Sequence, residues 1–225
     1  MSAATVNKRA RLICLIGMDG SGKSTLANNL VSRIRAGGLK AKYVWNGSEP
    51  RILKPFYVLG KSFILSHEKK SGDYKKYSGK LNKTLQKPLV GSFYEWLLLI
   101  DYFFQILINI RIPLIFNINI VSDRYYFDIA INLMVQRGHS IKRLYKLLGR
   151  FKRMFPSPDI IFLVDLPEEE AYKRKNDIPS IEYLTERRNL YLNVANSLGI
   201  AVVDGTKSIS NLNELLWERI EDYYK

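Results

Sequence analysis

The sequence predicts an α/β fold in which a five-stranded parallel sheet carries helices on both faces. Apolar runs such as 12–16 and 159–165 alternate with segments whose apolar residues recur at helical spacing. Strands that alternate with helices favour a parallel sheet that is covered on both sides. A length of 225 residues and an apolar content of 47% suit a single domain spanning 1–225.

Each predicted element follows from a local pattern. Buried apolar runs predict strands at 11–17, 40–45, 119–122, 159–165 and 200–203. Helical periodicity predicts helices at 23–36, 53–65, 91–110, 126–137, 140–153, from 167 onward, at 181–198 and at 211–223. Ligands of such sheets gather at the carboxyl ends of the strands, so we expect functional residues there.

Composition limits the compartment and the partners. The single cysteine, Cys14, excludes an intramolecular disulfide and fits a reducing compartment. The apolar run 12–16 is too short for a signal sequence, and Glu95 and Asp101 interrupt the apolar stretch 93–110, which favours a buried helix over a membrane segment. We therefore expect a cytoplasmic protein. The net charge of +14 leaves polyanionic substrates, nucleic acid or an acidic membrane surface as partners to consider.

The strongest motif lies between the first predicted strand and helix. Residues 17–25 fit G-x-x-x-x-G-K-[ST], which predicts a P-loop NTPase fold that binds ATP with Mg²⁺. In such a loop Lys23 reaches the β- and γ-phosphates, and the Ser24 hydroxyl ligates Mg²⁺. The residues assigned to nucleotide binding are Gly17, Asp19, Gly20, Ser21, Gly22, Lys23, Ser24 and Thr25.

Two acidic residues, one inside this loop and one expected beside it in the fold, are candidates for the chemistry. Asp19 either contacts an acceptor hydroxyl or Mg²⁺-bound water, or hydrogen-bonds the loop backbone as a turn residue. Asp123 and Arg124 follow the third predicted strand. Asp123 suits Mg²⁺ binding and Arg124 suits phosphate oxygens, with a structural ion pair as the alternative.

Basic residues are concentrated in three later segments. The segment 173–181 begins with cations that would close over ATP as a lid, or form a solvated helix end. The segment 51–92 holds ten Lys/Arg against two acids, and 137–153 holds seven with no acid. These two stretches are either solvated faces or docking surfaces for an anionic acceptor, nucleic acid or a membrane surface.

The order and spacing of the motifs resemble the thymidylate kinase family of nucleoside monophosphate kinases over nearly the whole chain. The matching pieces are 19–25, Glu49-Pro50, Asp123-Arg124-Tyr125, 158–168 and Val203-Asp204-Gly205. The resemblance implies a five-stranded fold with a short lid, ATP and Mg²⁺ as cofactors, and transfer from ATP to dTMP. It also implies a homodimer formed through helices next to the sheet, for which the apolar helix 93–110 is a candidate.

The resemblance also implies roles for single residues. Asp19 would approach the acceptor sugar, Arg51 and Arg124 would hold the acceptor phosphate, and Arg174 is the first choice for a catalytic lid cation, with Lys173 and Lys175 as the alternatives. Catalytic roles then fall to Lys23, Asp19, Arg124 and Arg174, and metal binding to Ser24 and Asp123. The acceptor pocket is assigned to Arg51, Asp101, Tyr102, Arg124 and Tyr125.

The chain departs from the family pattern where a base would be read. Leu98 stands where the family has a stacking aromatic residue, and Tyr102 stands where it has a base-reading arginine. Asp128 and Asn132 replace a family serine and glutamine. Three functions therefore stay open: a dTMP kinase, a kinase of the same fold for another phosphorylated or hydroxyl acceptor, and a nucleotide-binding protein without transfer activity.

Overall fold

Five parallel strands form the central sheet. The computed structural model describes residues 9–47, 50–55, 83–174, 178 and 180–224. The strands lie in the order β2-β3-β1-β4-β5. They are β1 (Leu12–Ile16), β2 (Ala41–Trp45), β3 (Asn119–Asp123), β4 (Ile160–Asp165) and β5 (Ala201–Asp204). The predicted fold class is confirmed, and the central β1 pairs with β3 and β4.

Helices cover both faces of this sheet. They are α1 (Lys23–Ala36), α2 (Pro88–Ile106), α3 (Ile112–Ile115), α4 (Tyr126–Arg137), α5 (Ile141–Met154), α6 (Glu168–Arg174), α7 (Ile181–Leu198) and α8 (Ile209–Ile220). A π-helical turn, Leu107–Arg111, joins α2 to α3, and a 3₁₀ turn, Glu221–Tyr223, follows α8.

Alternation along β1 explains why its two faces are buried by different helices. Leu12, Cys14 and Ile16 pack into a cluster with α2, α4, α5 and α7. Ile13 and Leu15 pack into a second cluster with α1 and α8. Successive strand side chains point to opposite faces, so the continuous apolar run fills two cores at once. Burial, followed by the carboxylates of Asp128 and Asp159, raises the pKa of Cys14 well above its ordinary value.

The apolar stretch after residue 90 differs from the single helix that was predicted. Helix α2 begins at Pro88, and the π-turn then leads into α3. Pro113 lacks an N–H and its ring would meet a carbonyl one turn earlier, and a π-turn relieves that conflict. Of the predicted helix 53–65, residues 56–65 lie outside the described part of the chain, as do Glu49 and Lys175.

This helical stretch is buried on one face only. Within the described residues it is the one helix, Pro88–Ile115, long and apolar enough to cross a membrane by length and composition, and 39% of its most apolar window is buried. Asp101 and Tyr102 face the core. The opposite face exposes a row of large apolar side chains, which includes Leu89, Phe93, Trp96, Ile108 and Ile115.

Candidate active site

The glycine loop between β1 and α1 is held in a shape that only glycine allows. Gly17, Gly20 and Gly22 have φ angles of 137°, 83° and 86°. A Cβ on Gly17 would lie 2.6 Å from the carbonyl oxygen of Val164, and one on Gly20 would lie 2.8 Å from that of Ala171. The first amides of α1 have no intrahelical acceptor, and Gly22 offers no side-chain cap. The loop therefore presents free donors and a helix N-terminus to an anion.

Lys23 is buried inside this loop. Its ammonium donates hydrogen bonds to the Met18 carbonyl and to the Ser21 hydroxyl, the latter at 3.0 Å. Burial, together with the positive charge of Arg124, lowers the pKa of Lys23 to about 8, and the nearby carboxylates only partly offset this. A bound polyphosphate would supply a compensating negative charge.

Ser24 and Asp123 meet beside the loop because β1 and β3 are neighbours. The Ser24 hydroxyl donates to Oδ2 of Asp123, and the Tyr43 hydroxyl donates to the same oxygen at 3.0 Å. The other carboxylate oxygen, Oδ1, is buried and has no hydrogen-bond partner among the described residues. A hydroxyl beside a carboxylate oxygen that has no hydrogen-bond partner suits Mg²⁺, which prefers oxygen ligands.

The donor set fits Mg²⁺ better than a metal held only by protein. No group of three or more His, Cys, Asp or Glu side chains comes together in the part of the chain that the structure describes. Mg²⁺ commonly keeps several waters and takes its remaining ligands from one or two carboxylates and substrate phosphates. Ser24 and Asp123 are the residues that would hold it. The contact of Tyr43 with Asp123 was missed in the sequence, because nothing in a strand pattern marks that tyrosine.

Arg124 lies between two carboxylates. Its guanidinium donates to Oδ1 of Asp19 at 2.5 Å and to Oδ1 of Asp128 at 3.3 Å. Burial opposes the charged form, but the carboxylates of Asp128 and Asp19 outweigh it and raise the pKa of Arg124. The backbone of Arg124 is left-handed, with φ 73°. The structure thus joins Asp19 and Arg124, two predicted site residues that are far apart in sequence.

Arg51 is held close to the sheet by its neighbours. Its guanidinium lies over the Trp45 ring, 4.6 Å from the ring centroid. Its backbone N–H donates to Oδ2 of Asp101 at 3.0 Å, and Asp101 also accepts hydrogen bonds from Leu53 N–H and Gln105. Asp101 is fully buried, so it fastens the Arg51 loop to α2.

Two predicted pocket residues lie in the core. Tyr102 is 1% exposed, packs edge-on against Phe155, and its hydroxyl has no partner among the described residues. The Tyr125 hydroxyl donates to the Pro156 carbonyl at 2.9 Å. Among the described residues, neither hydroxyl is hydrogen-bonded to Arg124 or Asp19.

The predicted lid begins at the end of α6. Lys173 and Arg174 are exposed, with no ion pair in the described residues. The base of this segment is fixed by Arg188 on α7, which donates to both Asp165 oxygens at 2.8 and 2.9 Å and to Glu168 at 2.6 Å. Arg188 was missed because only the fold brings α7 to the end of β4.

Two curated proteins are similar to the chain over almost its whole length. One, named "Probable thymidylate kinase", from Archaeoglobus fulgidus, is 26% identical over 219 residues, which are 94% of this chain and 95% of that protein. Another, named "Probable thymidylate kinase 1", from Saccharolobus solfataricus, is 30% identical over 217 residues, with the same coverage. No protein-family model matches the chain.

Three features at the carboxyl ends of the parallel sheet define a P-loop nucleotide-binding protein. They are the glycine loop, the buried Lys23 and the Ser24–Asp123 pair. The full-length similarity narrows this class further. The chain belongs to the thymidylate kinase family.

Proposed function

We propose that the chain is an ATP-dependent nucleoside monophosphate kinase that converts dTMP and ATP into dTDP and ADP. The observation that carries the proposal is the Ser24–Asp123 contact beside Lys23, where one buried Asp123 oxygen has no hydrogen-bond partner among the described residues and Arg124 follows directly in sequence. The names of the two relatives support dTMP as the acceptor.

Each residue has a defined task in this reaction. ATP with Mg²⁺ would supply an electrophilic γ-phosphoryl group. Lys23 and the loop amides would neutralise charge on the phosphate oxygens, and Ser24 and Asp123 would hold the metal. Arg124 and Arg51 would bind the acceptor phosphate. Because a phosphate oxygen is already anionic at neutral pH, the acceptor needs no strong base, and the chain's work is positioning and charge stabilisation.

The test is ADP release from Mg·ATP across a panel of nucleoside monophosphates, the matching nucleosides and a blank without acceptor. ADP formed with dTMP above the blank is the expected result. ADP formed only with another phosphorylated or hydroxyl acceptor would support kinase activity but assign a different substrate. ATP binding without turnover on any acceptor would reject transfer and leave a nucleotide-binding protein.

Replacing Arg174 by alanine should lower kcat by roughly a hundredfold or more, because a lid cation stabilises charge that grows only during transfer. The affinity for Mg·ATP, measured by calorimetry, should change little. Lys173→Ala is the matched control, since both residues are exposed at the end of α6. An unchanged kcat for Arg174→Ala would move the role to Lys173 or Lys175.

Replacing Asp101 by asparagine should raise the KM for the acceptor about tenfold, because the amide group places an N–H opposite a backbone N–H of the Arg51 loop. The affinity for Mg·ATP should stay constant. Glu95→Gln makes the same chemical change on the same helix and should leave both constants unaltered. Equal KM values for the two variants would contradict the anchoring role of Asp101.

The exposed row on the Pro88–Ile115 stretch supports a homodimer as the assembly. Leu89 is 87% exposed, and Phe93 and Trp96 follow on the same helix face, with 62% and 58% exposed. Trp96→Glu should convert a dimer into a monomer in light scattering, because it places a charge in an apolar contact. Leu198→Glu, at an exposed site on α7, is the control. A monomeric wild-type chain would reject the dimer, and nucleic acid or a membrane surface would then be examined for this face.

A further inference from the structure

A buried carboxylate lies directly behind the acceptor-side arginine. Asp128 is fully buried near the start of α4, at a position where the family pattern has serine. Its Oδ2 accepts a hydrogen bond from the Tyr125 N–H at 2.9 Å. Its Oδ1 accepts from the Tyr191 hydroxyl at 2.5 Å and from Arg124 at 3.3 Å. The carboxylate is thus fixed from three sides, and one of its partners is Arg124.

The two carboxylates on Arg124 differ in accessibility. The Asp19 side chain is 31% exposed, whereas that of Asp128 is wholly buried. An incoming anion can therefore take the place of Asp19 at the guanidinium. The buried contact between Asp128 and Arg124 is not accessible to it. Through such an exchange Arg124 keeps one charged partner, which preserves the orientation of its planar fork.

Tyr191 ties this arrangement to a different part of the fold. It lies on α7, the helix that begins at Ile181, where the predicted lid segment ends. One turn away, Arg187 of α7 donates to Asn132 of α4 at 3.4 Å. Residues 128 and 132 on one helix thus contact residues 191 and 187 on the other, so the two helices are joined at two successive turns.

We propose that Asp128 is the positioning residue for Arg124, and that Tyr191 holds Asp128 in place so that α7 sets the geometry of the acceptor-binding arginine. The inference rests on the proposed function for the identity of the acceptor. It assigns no contact with substrate to Asp128 or Tyr191, since both act through Arg124.

The same geometry limits which side chains are available to contact the nucleobase of the acceptor. Asp128 and Asn132 stand at positions that depart from the family pattern, and both are hydrogen-bonded to α7. One oxygen of each side chain therefore accepts a hydrogen bond from α7. Arg124 then contributes to acceptor binding through its charge and the orientation of its planar fork, whichever base the acceptor carries.

The test compares two tyrosine variants that each lose one hydroxyl group, and each of these hydroxyls forms a hydrogen bond that joins α7 to another helix. In Tyr191→Phe the bond to Asp128 is lost, and in Tyr145→Phe the 2.7 Å bond to Ser197 of α7 is lost instead. Tyr191→Phe should raise the KM for dTMP about tenfold and leave the Kd for Mg·ATP within about twofold, because only the acceptor side changes. Tyr145→Phe should change neither. Equal KM values for the two variants would overturn the proposal.

A second measurement separates this inference from the proposed function. The Arg124 Nε–Hε signal in a ¹⁵N spectrum, assigned by its loss in Arg124→Lys, should be sharp in the wild type and broadened or shifted in Tyr191→Phe. It should be unaffected in Tyr145→Phe. If no acceptor is turned over but this pattern is seen, the acceptor assignment fails and the positioning role stands. An unchanged signal in Tyr191→Phe would overturn the positioning role whatever the acceptor is.

Substitutions of Asp128 itself provide a third comparison, and the first of them is Asp128→Asn. The asparagine keeps a similar shape but loses the negative charge beside Arg124, so the KM for dTMP should exceed that of Tyr191→Phe. Asp128→Glu, which restores the carboxylate, should recover part of the loss if the charge is what orients Arg124. Identical KM values for the asparagine and glutamate variants, both folded by circular dichroism, would contradict the proposal.

Discussion

Replacing Lys23 by alanine should reduce phosphoryl transfer by roughly 100- to 1000-fold while leaving the fold intact, because the ammonium stabilises charge in the transition state. The stability of the ligand-free chain should not fall. Burial lowers the pKa of Lys23 to about 8, so its charged form is less favourable in the folded loop than in the unfolded chain. A lysine whose charge is disfavoured by the surrounding protein is suited to a ligand that supplies the opposite charge.

The measurement is ADP release together with thermal unfolding of both proteins. Lys40→Ala serves as the control, since Lys40 is exposed just before β2 at the opposite edge of the sheet. It should change neither the rate nor the melting temperature. Near-normal turnover by Lys23→Ala would show that the glycine loop does not hold the transferred phosphate.

The second large effect is expected for Arg124→Ala, which should lower both activity and stability. The substitution leaves the buried Asp128 and the half-buried Asp19 without their cation, and breaking such a pair costs about 3 kcal/mol. Loss of the acceptor-binding fork should also reduce kcat/KM by roughly a thousandfold. Urea unfolding and the coupled ADP assay measure the two effects separately.

Arg33→Ala is a matched control, because Arg33 also pairs with a carboxylate, Glu214, at 2.6 Å, but on the surface. It should lose at most about 1 kcal/mol and retain full activity. Arg124→Lys should recover much of the stability but little of the activity, since an ammonium cannot replace the planar fork. A fully active Arg124→Ala would remove Arg124 from the acceptor site.

The fold was predictable wherever local pattern and tertiary packing agree. The periodicity of 23–36 predicts α1 with the bounds that are seen, and the predicted strand 11–17 exceeds β1 by one residue at each end. The π-turn at Leu107–Arg111 was not predictable, because the apolar pattern continues through it without change. Pro113 is the local signal, but it does not say how the preceding turns will adjust.

The site residues were likewise predictable from the sequence only in part. Residues 17–25 and Asp123-Arg124 were found because their chemistry is contiguous in sequence and follows strand ends. Tyr43, Asp128 and Tyr191 were not, because their roles depend on contacts between elements that are distant along the chain. Asp101 was assigned to the acceptor pocket by position, and its side chain contacts the Arg51 loop backbone. A one-dimensional pattern places a residue on a helix but does not identify its partner.

The burial of Cys14 has a practical consequence. With its thiol enclosed by the core and its pKa raised, the native cysteine will not react with maleimide or iodoacetamide in the folded protein. A cysteine introduced at Ser197 or another exposed position would then carry a fluorophore or spin label alone. Distance measurements between two such labels would test whether α7 moves during turnover, without prior removal of any natural residue.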